Sequence, residues 1–485
     1  MLRKPGLLLL ASSLLFAAPG GARAGAPPAE GRCPSLARAG TDGVTEDAVA
    51  VPLREGMLLS MKDIYSLHHL LPIEIWRHRK VFFHEGMKLE VGPCHRAYAQ
   101  PVFYRDATER HADGVSLDEH GNLVGYRAGR PFPADAIHPE DPMAGTRWAW
   151  NHVYRWQGAG PSGSFRITDM PSRLGSVEVY EGEFFQAQTA HRADLGETGY
   201  QAPEAPGYLW VSGGRFEKPF DARHLAWRQL RPSDVDQHPE KPDDTFVYVP
   251  SMRKMRRGAT TWVDGIYLPS YRVGTIQAGG GVPFGSGPYG PEASIQPTAG
   301  ISAASSEHIR RGFVGVSLRA NAYQWRKVGE REVLAPINST NMGFPLNPER
   351  NYGESGLSLG NDRWDVRYAQ VIEGISRQSG NPVGILQLFI DHQTGQLLYY
   401  ISRRENRRII DIGIMVYRYS GDLVEYPEWP GGHRALVFDP VAASFYAVIE
   451  GGTGWRRESF DVRSLPLDSG EMKSLTSTTG LLKGR

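Results

Sequence analysis

Apolar and polar residues alternate along much of this chain from residue 148 onward, with aromatic rings on the repeating positions. Runs of this kind at 148–156, 176–180, 208–212, 245–249 and 261–268 predict strands. Further runs stand at 312–318, 366–373, 385–390, 396–402, 409–419, 435–438 and 445–449. Helical spacing is scarcer. Ile64, Leu67, Leu70 and Leu71 predict a helix over 60–71, stopped by Pro72, and a second short helix fits 73–82. Turns opened by Asp391 (391–395) and Asp439 (439–443) each join two runs, because an aspartate side chain caps the backbone that follows it. Successive strands joined by short turns pair antiparallel, and no regular βαβ alternation supports a parallel sheet.

Composition agrees with strands and turns, since 56 glycines and 35 prolines leave little room for long helices. The N-terminus reads as an export signal over 1–24. Arg3 and Lys4 precede an apolar stretch over 7–18, and Ala22-Arg23-Ala24 supplies the small residues expected before cleavage. That stretch is too short for the roughly 20 residues of a bilayer-spanning helix. Cys33 lies beyond Ala24 and lacks a lipobox, so a lipid anchor is not expected either. Loss of the signal removes Arg3, Lys4 and Arg23, leaving a slightly acidic chain with no charge argument for nucleic acid. Cys33 and Cys94 are the two cysteines, and in an oxidising compartment they read as one disulfide, against the alternative of two buried thiols. The expected organisation is an N-terminal extension over 25–55, one β-rich domain over 56–464 with a Gly/Pro-rich insertion at 274–300, and a flexible polar tail over 465–485.

No catalytic motif emerges. Gly285-Ser286-Gly287-Pro288-Tyr289-Gly290 has the letters of a dinucleotide fingerprint, but Pro288 and Pro291 forbid the helix that must begin there. His68, His69, His78 and His84 cluster without metalloprotease spacing, so neither metal nor cofactor is expected. Carboxylates such as Asp362 and Asp365 read as polar strand ends. Two basic knots, 253–257 and 403–408, follow strands. They read as solvated turns that discourage edge pairing or, more sharply, as partner or headgroup contacts through Arg253, Arg256 and Arg257. Trp148, Trp150, Tyr154, Tyr180, Tyr248 and Trp262 are candidate ligand-binding residues on an aromatic sheet face, with core packing as the alternative use of the same rings.

Particular residues resemble a known family. Gly129-Arg130-Pro131-Phe132-Pro133, followed by Trp150-Asn151-His152 and Tyr154-Arg155, resembles the opening of domain of unknown function 1329, a bacterial cell-envelope family. Tyr248-Val249-Pro250 running into Arg256-Arg257, Ala335-Pro336-Ile337-Asn338, Arg363-Trp364-Asp365 and Ile390-Asp391 follow in the family's order. Ala335 and Ile337 depart from its usual valine and tyrosine, and 274–300 has no counterpart. The resemblance implies a mainly β fold, a large curved antiparallel sheet of half-barrel type with a few helices, akin to periplasmic lipoprotein carriers. It also implies association with transporters of the resistance-nodulation-division type, and it carries no catalytic residues. The expectation is an exported protein of the periplasm or outer-membrane periphery that binds a lipophilic molecule. The alternatives are a scaffold of an envelope complex and a lipid or glycan hydrolase.

Overall fold

The structure is a computed structural model describing residues 27–38, 49–170, 177–220, 223–250, 253–257, 269–271, 304–308, 318–340, 351–377, 383–449 and 452–482. The export signal, the insertion at 274–300 and the run at 261–268 lie outside the described residues, as does nearly all of the run at 312–318.

The N-terminal part pairs β1 (Ser35–Arg38) with β2 (Val49–Pro52) and continues through β3 (Leu58–Leu59), helices α1 (Met61–Ile64), α2 (Ile73–Arg77) and α3 (Arg79–Phe82), β4 (Leu89–Cys94) and α4 (Val102–His111). A small pair, β5 (Ser116–Leu117) and β6 (Leu123–Val124), leads to α5 (Ala144–Val153). Six strands follow: β7 (Ser162–Met170), β8 (Glu178–Gln188), β9 (Tyr208–Lys218), β10 (Ala226–Pro232), β11 (Asp244–Val249) and β12 (Lys254–Arg257). After a separate pair, β13 (Pro269–Tyr271) and β14 (Ala304–His308), come β15 (Tyr323–Ala335), β16 (Arg363–Ser376), β17 (Ile385–Asp391), β18 (Leu397–Arg403), β19 (Ile409–Tyr419), β20 (Phe438–Ile449) and β21 (Gly452–Arg463). Helices α6 (Ser469–Thr476) and α7 (Thr478–Leu482) end the chain.

Fifteen of these strands form one open sheet in the order β12-β11-β10-β9-β8-β7-β21-β20-β19-β18-β17-β16-β4-β3, with β15 also on β16. Two meanders, β7 to β12 and β16 to β21, meet edge to edge where β21 pairs antiparallel with β7. Among the described residues, the one parallel strand pairing in the sheet joins β4 to β16. Val366 faces both Leu334 of β15 and Cys94 of β4, and Ala369 faces both Arg331 of β15 and Asp391 of β17. One edge of β16 therefore belongs to β15, and the other is divided between β17 and β4. The fold is mainly β, mostly antiparallel and not closed, with a few helices, as the sequence implies.

Three expectations are corrected. The run at 148–156 is not a strand, because 144–153 is the helix α5. Rings at 148, 150, 154 and 156 mimic a two-residue period, but α5 is buried on nearly every side, Arg147 being its partly exposed exception, so it shows no polar stripe to betray a 3.6-residue period. The segment 439–443 is not a turn. β20 runs through it, and its register against β19 skips Val441, a bulge that accommodates Pro440 inside a strand. Residues 466–482 are not a loose tail. Asp468 caps α6 in a reciprocal pair with Glu471, while Met472 and Leu481 are buried at 4% and 0% exposure. Met472 packs with Phe185, Val211 and Leu230, so the C-terminal helices cover one face of β8–β10.

The Asp391 turn is as read: Asp391 Oδ1 accepts from Thr394 N–H and Oγ1–H, and Gly395 supplies a positive φ of 74°. The disulfide joins Cys33 to Cys94 at a Cα separation of 5.3 Å and fastens the N-terminal strand pair to β4. Closing a loop of 61 residues removes roughly 4 kcal/mol of chain entropy from the unfolded state.

Candidate functional site

Residues directly opposed in a ladder point to the same face, so register traces one surface across eight adjacent strands. Phe165 on β7 opposes Phe460 on β21 and Gly182 on β8, and Ile167 opposes Tyr180. Gly182 opposes Phe216 on β9, Phe184 opposes Gly214, and Gly214 opposes Trp227 on β10. In the other direction, Arg456 of β21 opposes Phe445 of β20, which opposes Gly413 of β19, which opposes Tyr400 of β18. This gives a continuous aromatic floor from β10 to β18. Each ring named is at most 8% exposed. Phe216 touches Phe165, Tyr180 and Trp227 with ring centroids 5.3–5.8 Å apart.

Glycines make the floor flat. A Cβ on Gly214 would lie 2.5 Å from the Trp227 ring, one on Gly413 2.9 Å from Phe445, and one on Gly182 3.0 Å from Phe165. The rings lie down over neighbouring backbone because no side chain stands in their way. Charge shares the surface. The Arg456 guanidinium sits 4.8 Å from the Phe445 ring centroid and pairs with Glu458 at 2.6 Å, while Ser402 Oγ donates to Asp411 at 3.3 Å. Thus a flat apolar surface carries a compact charged group near its centre.

The candidate residues read from the sequence are dispersed. Tyr180 lies on the floor. Tyr248 opposes Ala226, the neighbour of Trp227, and therefore faces the reverse side. Trp148 and Trp150 belong to α5, which packs on β15 and β16, and Tyr154 caps its C-terminal end. Trp148 stands 5.2 Å from the His392 ring, Trp150 Nε1 donates to Gly121 O, and Trp150 stacks on Tyr154 at 6.0 Å. Trp262 lies outside the described residues. Phe165, Phe216, Trp227, Phe445 and Phe460 complete the floor without having been singled out. Except for Phe460, which faces Phe165, their signal is a ring on one strand facing glycine on the next, visible only once register is known.

At the end of the sheet where α5 lies, buried polar groups collect. Tyr154 OH donates to Asp236, and the Tyr126 and His191 rings pack against Tyr154 at 4.2 and 5.2 Å. Burial pushes the Asp236 carboxyl up to about 7, against the opposing pull of Tyr154 and Arg231. Asp243 is held below the ordinary carboxylate range, because Arg231 and Arg319 more than offset its burial. Asp365 and Asp439 are pushed up to about 6 by burial. Among the described residues no group of three His, Cys, Asp or Glu is placed to hold a metal ion. His84 instead meets Ser358 Oγ at 2.9 Å, and His78 packs on Tyr446 at 5.1 Å.

The knot at 403–408 lies mostly in the turn between β18 and β19, whereas the knot at 253–257 is, apart from Arg253, the edge strand β12. Arg253 is exposed in the turn between β11 and β12. Arg256 opposes Val247 in β12, and Arg257 pairs with Asp244 at the surface.

Residues 78–276 match the family described as "Protein of unknown function (DUF1329)". The fold is similar to a putative outer membrane lipoprotein-sorting protein domain from Vibrio parahaemolyticus, at 10% identity and TM-score 0.37, covering 71% of this chain and 100% of that one. It is similar to a DUF1329 family protein from Desulfovibrio piger, at 12% identity and TM-score 0.39, covering 70% and 99% respectively. A LolA superfamily protein from Nitrosomonas europaea matches at 10% identity and TM-score 0.30, covering 70% of this chain and 98% of that one. No curated protein sequence matches the chain.

Proposed function

We propose that this is an exported envelope protein that holds a lipophilic molecule against the aromatic floor, a reading drawn from its own surfaces and in keeping with the match of residues 78–276 to the DUF1329 family. The observation that carries this reading is the set of rings laid over glycine. Flat rings present the widest apolar area to a flat or extended hydrocarbon, and the Arg456–Glu458 and Asp411 group beside them suits the polar end of an amphiphile. Each methylene taken from water contributes about 0.8 kcal/mol, so about ten against the floor suffice for useful affinity. The rings are withdrawn from solvent, so binding must open the face, and uptake is expected to be slower than diffusion. The disulfide fits an oxidising compartment such as the periplasm. A transporter of the resistance-nodulation-division type is the partner proposed for such a cargo, on the family resemblance.

The test is photo-crosslinking with a diazirine fatty acid, followed by peptide mapping. Adducts are expected on β7–β10 and β18–β21 at the floor positions. Adducts confined to α5, to the reverse face or to the turns would overturn this placement.

A further inference from the structure

The two ends of the sheet differ in charge, and this difference identifies a second surface. Pairs Asp169–Glu178, Ile375–Ile385, Arg403–Ile409 and Ile449–Gly452 close hairpins, as do Arg215–Ala226 and Val249–Lys254. Ile385 opposes Arg403, Asp411 opposes Ala447, and Trp455 opposes Met170, so all six turns leave the same end. The described residues of these links are 177, 219–220, 223–225, 250, 253, 377, 383–384 and 404–408, and they hold six arginines against one carboxylate. The links at the opposite end, 189–207, 233–243, 392–396 and 420–437, hold three Lys or Arg against ten carboxylates. The molecule is therefore polarised along its strands.

Apolar side chains project from the basic end. Phe220 is 82% exposed and Val177 53% exposed. Phe220 borders a concavity of about 920 Å³ lined also by Val179, Pro219, Arg166, Lys218 and Arg223. Lys218 pairs with Glu181 at 2.7 Å and Arg166 with the same carboxylate at 3.6 Å. Arg223, Arg253, Lys254 and Arg404 are exposed, and none has an ion-pair partner among the described residues.

We propose that this end is a membrane-docking surface for a bilayer rich in anionic phospholipid, with Phe220 and Val177 entering the interface and the turn arginines meeting headgroup phosphates. The occupant follows from complementarity. An aromatic ring almost fully in water gains by entering the acyl boundary, and the exposed cations at the same end of the sheet are drawn to a negative surface that repels the acidic end. The polarity also sets orientation, with strands roughly along the membrane normal. The proposal is independent of the floor, since a protein that carries no cargo could still dock this way.

Flotation of the exported chain with phosphatidylglycerol-rich vesicles, against pure phosphatidylcholine vesicles, tests it. Binding is expected only to the anionic vesicles and to weaken with salt. Phe220→Ala should lower it about tenfold, the loss of one ring's burial. The double substitution Arg223→Glu and Lys254→Glu should abolish it, whereas Arg110→Glu on α4 should not. Because Phe220 and Arg223 lie on the surface, far-UV circular dichroism is expected to be unchanged in these variants. Inorganic phosphate should compete no better than chloride at equal ionic strength; stronger competition would mean a free-anion site and overturn the docking surface. Equal binding to neutral vesicles, no binding, or binding unaffected by the rim variants would overturn it as well.

Discussion

Asp243→Ala is expected to cost about 3–5 kcal/mol of folding stability. Asp243 is 4% exposed and lies between Arg231 Nη2 at 2.9 Å and Arg319 Nη2 at 2.6 Å, whose side chains are 4% and 2% exposed. Gln229 Nε2 donates to the same carboxylate at 2.7 Å. Removing the acid leaves two buried guanidinium groups without their counter-charge, a far larger penalty than loss of a surface pair. The group also has an architectural role: Arg319 donates to Pro239 O and Lys241 O, so it fastens the segment entering β15 to the β10–β11 link. Urea denaturation of the variant should show a lower midpoint with an unchanged slope. A variant as stable as the parent would mean that the triad contributes no net stability.

The second large effect is on pH dependence. Asp236 holds its proton in the folded chain up to about 7, whereas an unfolded aspartate releases it near 3.8. Between those values the folded state binds more protons than the unfolded state, so stability must fall as pH rises, and above about 7 the contribution is flat. A shift of this size corresponds to on the order of 4 kcal/mol. Asp365 and Asp439, raised to about 6, add to the same trend over a narrower window. Asp243 and Asp391 act oppositely. Their lowered values favour folding above the ordinary carboxylate range, and that contribution is lost as pH falls below it. Stability is therefore expected to peak in mildly acidic solution. Asp236→Asn, which still accepts from Tyr154, should remove the largest part of the decline toward neutral pH. Denaturation midpoints from about pH 4.5 to about pH 8 would show this, and parallel profiles for parent and variant would contradict it.

How far the sequence reaches depends on whether a residue's role is local. Strands such as Ile409–Tyr419 and Ile385–Asp391 are legible because alternation and the Asp391 turn are both local signals. The α5 helix is misread because burial on nearly every side erases the polar stripe that would separate its period from a strand's. Pro440 suggests a break where a bulge absorbs it, and only the register against Val416 and Tyr417 shows why. The Cys33–Cys94 link is legible from an even cysteine count together with the export signal that sends the chain to an oxidising compartment. The floor is not, since it depends on which glycine faces which ring across eight strands. Tyr180 and Tyr248 look equivalent as sequence and point to opposite faces. The basic knots at 253–257 and 403–408 are visible separately, but strand order alone brings Arg253, Lys254 and the 404–408 turn to the end of the sheet from which Phe220 projects.

The central claim is that the aromatic floor holds a lipophilic molecule. Native mass spectrometry of the protein purified from its own envelope, with organic extraction of the same sample, tests it most directly. A bound species of lipid mass that leaves on extraction, and whose place a fluorescent fatty acid takes, is the result expected. A protein that is empty as isolated and takes up no such probe would contradict the claim.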